Sequence, residues 1–381
     1  MISVDSELKG LIDLMLQKNA SDLIMTEGQP PILRVVGDLY PVKGREVLTS
    51  DAVRRFAYGL LNEEQQRRFE LNLEIDASFG LKDIARFRLN VFQQQGAVGL
   101  VVRMLPSQIP TMESLGVPEI VKRWLNIPHG ILVTTGPTGS GKSTSQAAMI
   151  GYLNQTKRYH VITIEDPVEF THTHGMCAIE QREVGRDTRG FAEALKHVFR
   201  QSPDVIMIGE MRDRETFETA MQLAETGHLV LATLHTGDAT QAISRIIDVF
   251  PEDQHQQVRV QLSLTLIGIL VQELVPKIDG SGRVLATEIL EATPAVRNLI
   301  RKNDLHQVYS IIQTGSSEGM MTMNESLLRF FQEGKISLEQ AMLFTARQKE
   351  LEQLVAREMA AVKGAPKRRL SDLAVSGSRS K

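Results

Sequence analysis

The chain has 381 residues, enough for two or three domains that each bury their own core. With 42% hydrophobic and 23% charged residues and a formal net charge of −3, it reads as a soluble globular protein without whole-chain attraction to nucleic acid. A single cysteine, Cys177, excludes an internal disulfide or a tetracysteine zinc site and fits a reducing cytoplasm. The N-terminus lacks a basic n-region and a long apolar stretch, so no signal peptide is expected. The most apolar window, Gln261 to Val275, is too short and too polar to span a bilayer.

In chain order, Leu8, Leu11, Ile12, Met15 and Leu16 recur at helical spacing and predict an amphipathic helix within residues 1–20. Strand-like runs follow at Asp22–Thr26, Ile32–Val36 and Asp38–Val42. A helix capped by Ser50 or Asp51 runs through Leu60, and a second covers Glu63–Leu71. Glu74–Phe79, Ala85–Phe92 and Val98–Leu105 alternate like antiparallel strands, completing a small α+β domain over 1–105. Pro106, Pro110 and Pro118 mark a linker across 106–118, read as a hinge or rigid spacer. From 119 to 361 buried-type strands recur at Ile131–Thr135, Val161–Ile164, Val205–Ile208 and Leu229–Thr233. Helical patterns near 142–154, 188–201 and 214–226 lie between them. Strand–helix alternation predicts a parallel sheet covered on both faces. Helices are expected near 238–249 and 255–271, then from Pro294 to about Arg357. Residues 362–381 hold six basic residues and few large apolar ones, and read as a disordered basic tail.

The chain is organised around Gly136-Pro137-Thr138-Gly139-Ser140-Gly141-Lys142-Ser143-Thr144, which fits the phosphate-binding pattern G-x-x-x-x-G-K-[ST] without mismatch. A phosphate chain needs many donors close together and little side-chain bulk. The glycines let backbone N–H groups turn inward as an anion nest, and the helix expected to begin here points its positive end at the same place. Lys142 brings charge to the β- and γ-phosphates of ATP, and the Ser143 hydroxyl is a ligand for Mg²⁺. The buried run Gly130–Thr135 upstream supplies the strand that such a loop follows.

Cleaving a nucleotide requires an oriented water and acids near the metal. Ile162-Thr163-Ile164 ends in Glu165-Asp166-Pro167-Val168-Glu169, at the strand end where ligands of open parallel sheets collect. Glu165 or Glu169 can orient the water, and Asp166 can hold the loop or the metal shell. A second apolar run, Val205–Ile208, is followed by Gly209 where an Asp is usual, leaving Glu210 as the acid at the strand tip, which acts through a metal-bound water or is a plain surface Glu. His228 and His235 bracket the run Leu229–Thr233. They lie roughly 23 Å apart along an extended chain, too far to share one zinc. Each is a γ-phosphate sensor, a loop-positioning donor, or a histidine bonded to backbone. In the first domain Arg86 and Arg88 lie two apart on one strand face and Arg103 on a neighbouring strand. Arginines from outside the phosphate-binding domain can stabilise charge on a transferring phosphoryl group.

The segments GPTGSGKST, ITIEDPVEF, DVIMIGEMRD and AETGHLVLATLHT, in this order, resemble the secretion-ATPase superfamily, and within it the PilT/PilU pilus retraction ATPases. Ala85–Asn90 and Ala295–Arg301 extend the likeness over about residues 8–345. The resemblance implies a PAS-like N-terminal domain and a RecA-like ATPase domain binding ATP between them. It also implies a homo-hexamer at the cytoplasmic face of the inner membrane. There the ring would engage the pilus platform protein, with peripheral membrane association and no direct nucleic acid contact. It makes Glu165 the water-activating carboxylate and Glu210 the acid of an atypical Walker B strand. It also places His228 and His235 in the family's His box, and turns Arg86, Arg88 and Arg103 toward the phosphates. Ile24 stands where the family commonly has His. The linker, the His box and the added tail suit a PilU-type accessory motor acting beside a paralogous retraction ATPase. Two rival readings are a coupling subunit with little hydrolysis of its own and a DNA-uptake motor of similar fold.

Overall fold

The computed structural model describes residues 5–35, 37–81, 85–105 and 108–364. Val36, Pro106 and residues 365–381 of the expected tail lie outside them. The chain forms two compact units, Met1–Thr111 with Gln146–Met211, and Met112–Ser145 with Arg212–Lys381. Residues 146–211 therefore group with the N-terminal residues. Bonds such as Ser78 Oγ to the Glu183 carboxylate, at 2.8 and 2.9 Å, help tie them there.

The first unit opens with α1 (Ser6–Gln17), which Asp5 caps and which buries Leu8, Leu11, Ile12 and Met15. Strands β1 (Asp22–Met25), β2 (Ile32–Val35) and β3 (Asp38–Pro41) follow. The cap of α2 (Ser50–Leu60) is Thr49, one residue earlier than expected, because its Oγ1 accepts the Ala52 N–H at 3.2 Å. Asn62 and Gln65 close a reciprocal capping box on α3 (Glu63–Asn72). Strands β4 (Glu74–Leu81), β5 (Ala85–Gln94) and β6 (Ala97–Leu105) complete an antiparallel sheet of order β3-β2-β1-β6-β5-β4. Leu8, Phe56, Leu23, Phe87 and Leu100 share its core. The register lines up Arg34, Asp22, Arg103, Arg88 and Ser78 in a polar row across five strands.

Within the expected linker, α4 (Met112–Leu115) forms and buries Met112, so this stretch is packed chain rather than a bare spacer. Next come α5 (Ile120–Leu125), β7 (Gly130–Thr135) and α6 (Lys142–Thr156). They are followed by β8 (His160–Glu165), β9 (Ala178–Glu183), α7 (Phe191–Val198) and β10 (Val205–Ile208). In the first unit β8 pairs in parallel with both β9 and β10. The chain continues through α8 (Arg214–Glu225), β11 (Leu229–Thr233), α9 (Ala239–Asp248) and α10 (His255–Thr265). The helix expected over 255–271 stops at Thr265 and gives way to β12 (Leu266–Pro276), which pairs with β13 (Arg283–Glu291). Most of β12 is buried. An apolar run with no alternation cannot separate a buried strand from a buried helix by periodicity.

In the second unit β7 lies between β11 and β12, parallel to both, while β13 is antiparallel to β12. The parallel sheet expected from sequence thus carries an antiparallel hairpin. The chain ends in α11 (Pro294–Lys302), α12 (Val308–Thr314), α13 (Met323–Gln332), α14 (Leu338–Leu343) and α15 (Gln348–Gly364). Helix α15 thus runs past residue 362, where the tail was expected to begin. Among the described residues no helix is long and apolar enough to cross a membrane.

Two contacts fix β12 and β13. A methyl group on Gly268 would meet the fully buried Trp124 ring at 2.5 Å, so the indole packs flat on bare backbone. Buried Glu288 accepts the Ala239 N–H at the start of α9, at 2.9 Å. Burial pushes its carboxyl up to about 7, with the Ala239 bond pulling the other way. Gly268→Ala should cost about 1–3 kcal/mol by overpacking, read as a lower midpoint in chemical denaturation. An unchanged midpoint would show that the ring has room. Because the folded carboxyl titrates above its unfolded value, stability falls as pH rises from about 4.5 to about 7. Glu288→Gln should therefore raise the thermal midpoint at pH 8 and leave it nearly unchanged at pH 5. An equal shift at both pH values would contradict this.

Candidate functional site

The second unit holds the phosphate-binding loop. It leaves β7 at Thr135 and enters α6 at Lys142, the strand–loop–helix context that the motif requires. Gly136, Gly139 and Gly141 all have positive φ, at 145°, 82° and 89°. At Gly136 the constraint is also steric. A methyl group there would lie 2.3 Å from the Gln272 carbonyl oxygen on β12 and 2.7 Å from Ser140 Oγ. Gln272 Nε2 in turn donates to Ser145 Oγ at 2.7 Å, holding the first turn of α6 against the same strand.

Lys142 is buried, and its ammonium donates to the carbonyls of Gly136 at 2.8 Å and Pro137 at 2.9 Å. His235 Nδ1 lies 3.5 Å from the same Nζ. The position of His235 follows from the end of β11, where Thr236 N–H donates to Thr135 Oγ1 at 2.9 Å. Glu273 adds a carboxyl that burial pushes up and the Lys142 charge pulls down. His228 sits at the other end of β11, its Nδ1 bonded to the Leu223 carbonyl at 2.9 Å and Thr226 Oγ1 at 3.2 Å. The two histidines are not brought together.

These residues suit a nucleotide phosphate. The backbone turns through glycines at φ values that side chains rarely adopt, and at Gly136 no side chain fits. Ser140 Oγ is buried without a hydrogen-bond partner. Pro137, Thr138, Gly139 and Ser143 are exposed along the crest, while Thr144 is half-buried in the first helical turn. Among the described residues no three His, Cys, Asp or Glu side chains cluster as a metal cage. The exposed Ser143 hydroxyl, next to Lys142, is a group that could hold Mg²⁺ together with phosphates and waters.

The first unit holds the acids. Glu165 ends β8 and is buried. Its Oε1 accepts Thr163 Oγ1 at 2.6 Å and Gln181 Nε2 at 3.0 Å. Burial pushes its carboxyl up, and these two donors oppose the shift. Ile208 pairs with Ile164, and the Gly209 N–H donates to the Ile164 carbonyl at 2.8 Å. Glu165 and half-buried Glu210 therefore stand at the same end of neighbouring strands.

Each arginine is held by a carboxylate within this unit. Arg86 reaches Thr171 Oγ1 at 2.9 Å, Ser78 Oγ at 3.2 Å and Glu183 at 3.4 Å. Arg103 Nε bonds buried Asp22 at 2.7 Å, and Arg88 lies 3.5 Å from Asp76. Sequence reasoning missed Gln181, Glu183 and Asp22. Gln181 and Glu183 lie on β9, whose residues AIEQRE carry too little apolar pattern to read as a strand.

A family profile described as "Type II/IV secretion system protein" matches residues 62–343. The chain is 47% identical over 335 residues to the type IV pilus retraction ATPase PilT of Pseudomonas aeruginosa, covering 88% of this chain and 97% of that one. It is 45% identical over 336 residues to the type IV pilus ATPase PilU of the same organism, covering 88% of each. Among solved structures, the pilus retraction motor PilT with bound ADP superposes with a TM-score of 0.84 at 47% identity. That match covers 90% of this chain and 98% of that one. The chain belongs to the type II/IV secretion system protein family and, within it, to the PilT/PilU pilus retraction ATPases.

Proposed function

We propose that the protein is a magnesium-dependent ATPase that works as a homo-hexameric motor for type IV pilus retraction. The observation that carries this reading is the glycine-walled loop with Lys142 folded across its mouth, in a chain 47% identical to a retraction ATPase. The ADP bound to the related PilT motor supports a nucleotide at this loop. The ring is proposed to act at the cytoplasmic face of the inner membrane on the pilus platform protein, without direct contact to nucleic acid. Its role is that of the accessory, PilU-type motor beside a second retraction ATPase, a reading that rests on the linker and the His box. The domain reading behind it is a PAS-like domain over 1–105 and a RecA-like ATPase domain over 119–361.

The proposed roles follow from the chemistry of each group. Lys142 and the loop amides neutralise the β- and γ-phosphates, and Ser143 and Glu210 are the residues that would hold the metal shell. When bound, Mg²⁺ supplies Lewis-acid charge to the phosphates. Glu165 accepts a proton from the attacking water, whose oxygen bonds the γ-phosphorus as the bond to ADP breaks. Burial suits it to that task by raising its affinity for the proton. His235, beside Lys142, is proposed to sense the γ-phosphate, and His228 to brace the loop before β11. Arg86, Arg88 and Arg103 are proposed to stabilise charge on the transferring group. Of the three, Arg88 has the loosest carboxylate contact.

Steady-state ATP turnover tests the site. Lys142→Ala and Glu210→Ala should each lower kcat on the order of 100-fold. Rates equal to wild type would remove the site. A retraction assay in cells separates this motor from a coupling subunit. The Lys142→Ala protein should fail to support normal retraction. Normal retraction with it only while an active partner ATPase is present would instead favour a coupling subunit with little hydrolysis of its own.

A further inference from the structure

Strand β9 was not anticipated from sequence, yet two of its side chains hold the loop that follows Glu165. The parallel register sets Gln181 beside Thr163 and Glu183 beside Glu165, all on one face because they alternate by two. The Gln181 amide is fully used. Its Nε2 donates to Glu165 Oε1 at 3.0 Å and to the Phe170 carbonyl at 2.8 Å, while its Oε1 accepts the His172 N–H at 2.8 Å. The His172 bond fixes which way the amide faces. A flipped amide would turn its oxygen toward a carboxylate and a carbonyl and lose all three bonds. The N–H groups are thus forced toward Glu165. Two residues on, Glu183 accepts the Val168 N–H at 3.1 Å as well as Ser78 Oγ and Arg86. The acidic loop is tied to β9 at both ends.

We propose that Gln181 is a positioning residue for the Glu165 carboxylate. With Thr163 it directs two donors to the single oxygen Oε1 and so fixes the rotation of the group. It also favours the charged form of an acid placed where water is excluded. Among the described residues, titratable neighbours of Glu165 include Asp166 and Glu169 in the loop, Glu183 on β9 and Glu210 beyond β10. The Glu169 charge opposes ionisation of Glu165, while the Glu183 charge is met by Arg86. Without Gln181 and Thr163, nothing named in this cluster favours a negative Glu165 except the Glu169 backbone.

This inference rests on Glu165 being the base, and the experiment separates the two claims. The measurement is the single-turnover rate of ATP hydrolysis by the full chain as a function of pH, with KM for ATP and thermal midpoint alongside. A base acts when deprotonated, so activity falls as pH drops through its pKa. Losing a donor moves that limb to higher pH. Gln181→Leu should lower the neutral-pH rate about 10-fold and move the acid limb up by about one unit, with KM within about twofold. Gln181→Glu should move the limb further, because it sets a like charge beside the carboxylate. Thr163→Val, nearly equal in shape, removes the other donor to the same oxygen. It should shift the limb in the same direction, and it keeps the test decisive if the Gln181 variants fold poorly. A purely structural role would lower the thermal midpoint and the active fraction but leave the limb where it was, and that result would overturn the proposal. If Glu165→Gln hydrolyses ATP at the wild-type rate, the base assignment falls and this inference with it. If Glu165→Gln is inactive while Gln181→Leu and Thr163→Val match wild type in rate and limb, only the role of Gln181 falls.

Discussion

The closeness of the phosphate-binding loop to the backbone of β12 governs the second unit. Gly136 has no room for a methyl group because the Gln272 carbonyl lies behind it, and its φ of 145° is one that side chains resist. The loop is therefore pressed on the strand at Gly136. The same strand holds the first turn of α6 through Gln272 and Ser145, and it accepts the Trp124 ring at Gly268. Short contacts at two glycines thus fix where a helix N-terminus and its lysine point. A site that recognises phosphate by backbone needs this kind of rigidity, because N–H groups cannot search for a ligand as side chains can.

In the first unit the governing balance is between dehydration and hydrogen bonding. Burial disfavours a charged Glu165, and the donors of Thr163 and Gln181 restore part of what water would have given. A carboxylate in that position holds a proton more readily than one in solvent. Glu183 resolves the same conflict differently. It is buried, but Arg86, Ser78 and the Val168 N–H supply charge and donors, so it serves as a fixed anchor. Two neighbouring acids on one face therefore differ in chemistry because their partners differ.

Much of this was legible in the residues. The loop motif, the runs Val205–Ile208 and Leu229–Thr233, and the amphipathic helix around Leu8–Met15 all stand where patterning put them. Each owes its form to a local rule of period, glycine placement or buried β-branching. What escaped depends on partners distant in sequence. The strand β9 is polar beyond Ile179 and pairs with β8. The strand β12 reads as a helix because both faces are buried. That Arg86 and Arg103 answer to Glu183 and Asp22, some 97 and 81 residues away, is visible only once the strands are in register. The order of acids at strand ends was readable. The donors that set their chemistry were not.

The central claim is that the amides from Gly136 to Thr144 bind the phosphates of a nucleotide. Amide hydrogen exchange on the full chain, with and without magnesium and ATP, addresses it most directly. The account predicts that exchange slows at Gly139 to Thr144, with the largest change at the residues that enter α6. Unchanged exchange across this loop at saturating nucleotide would contradict it.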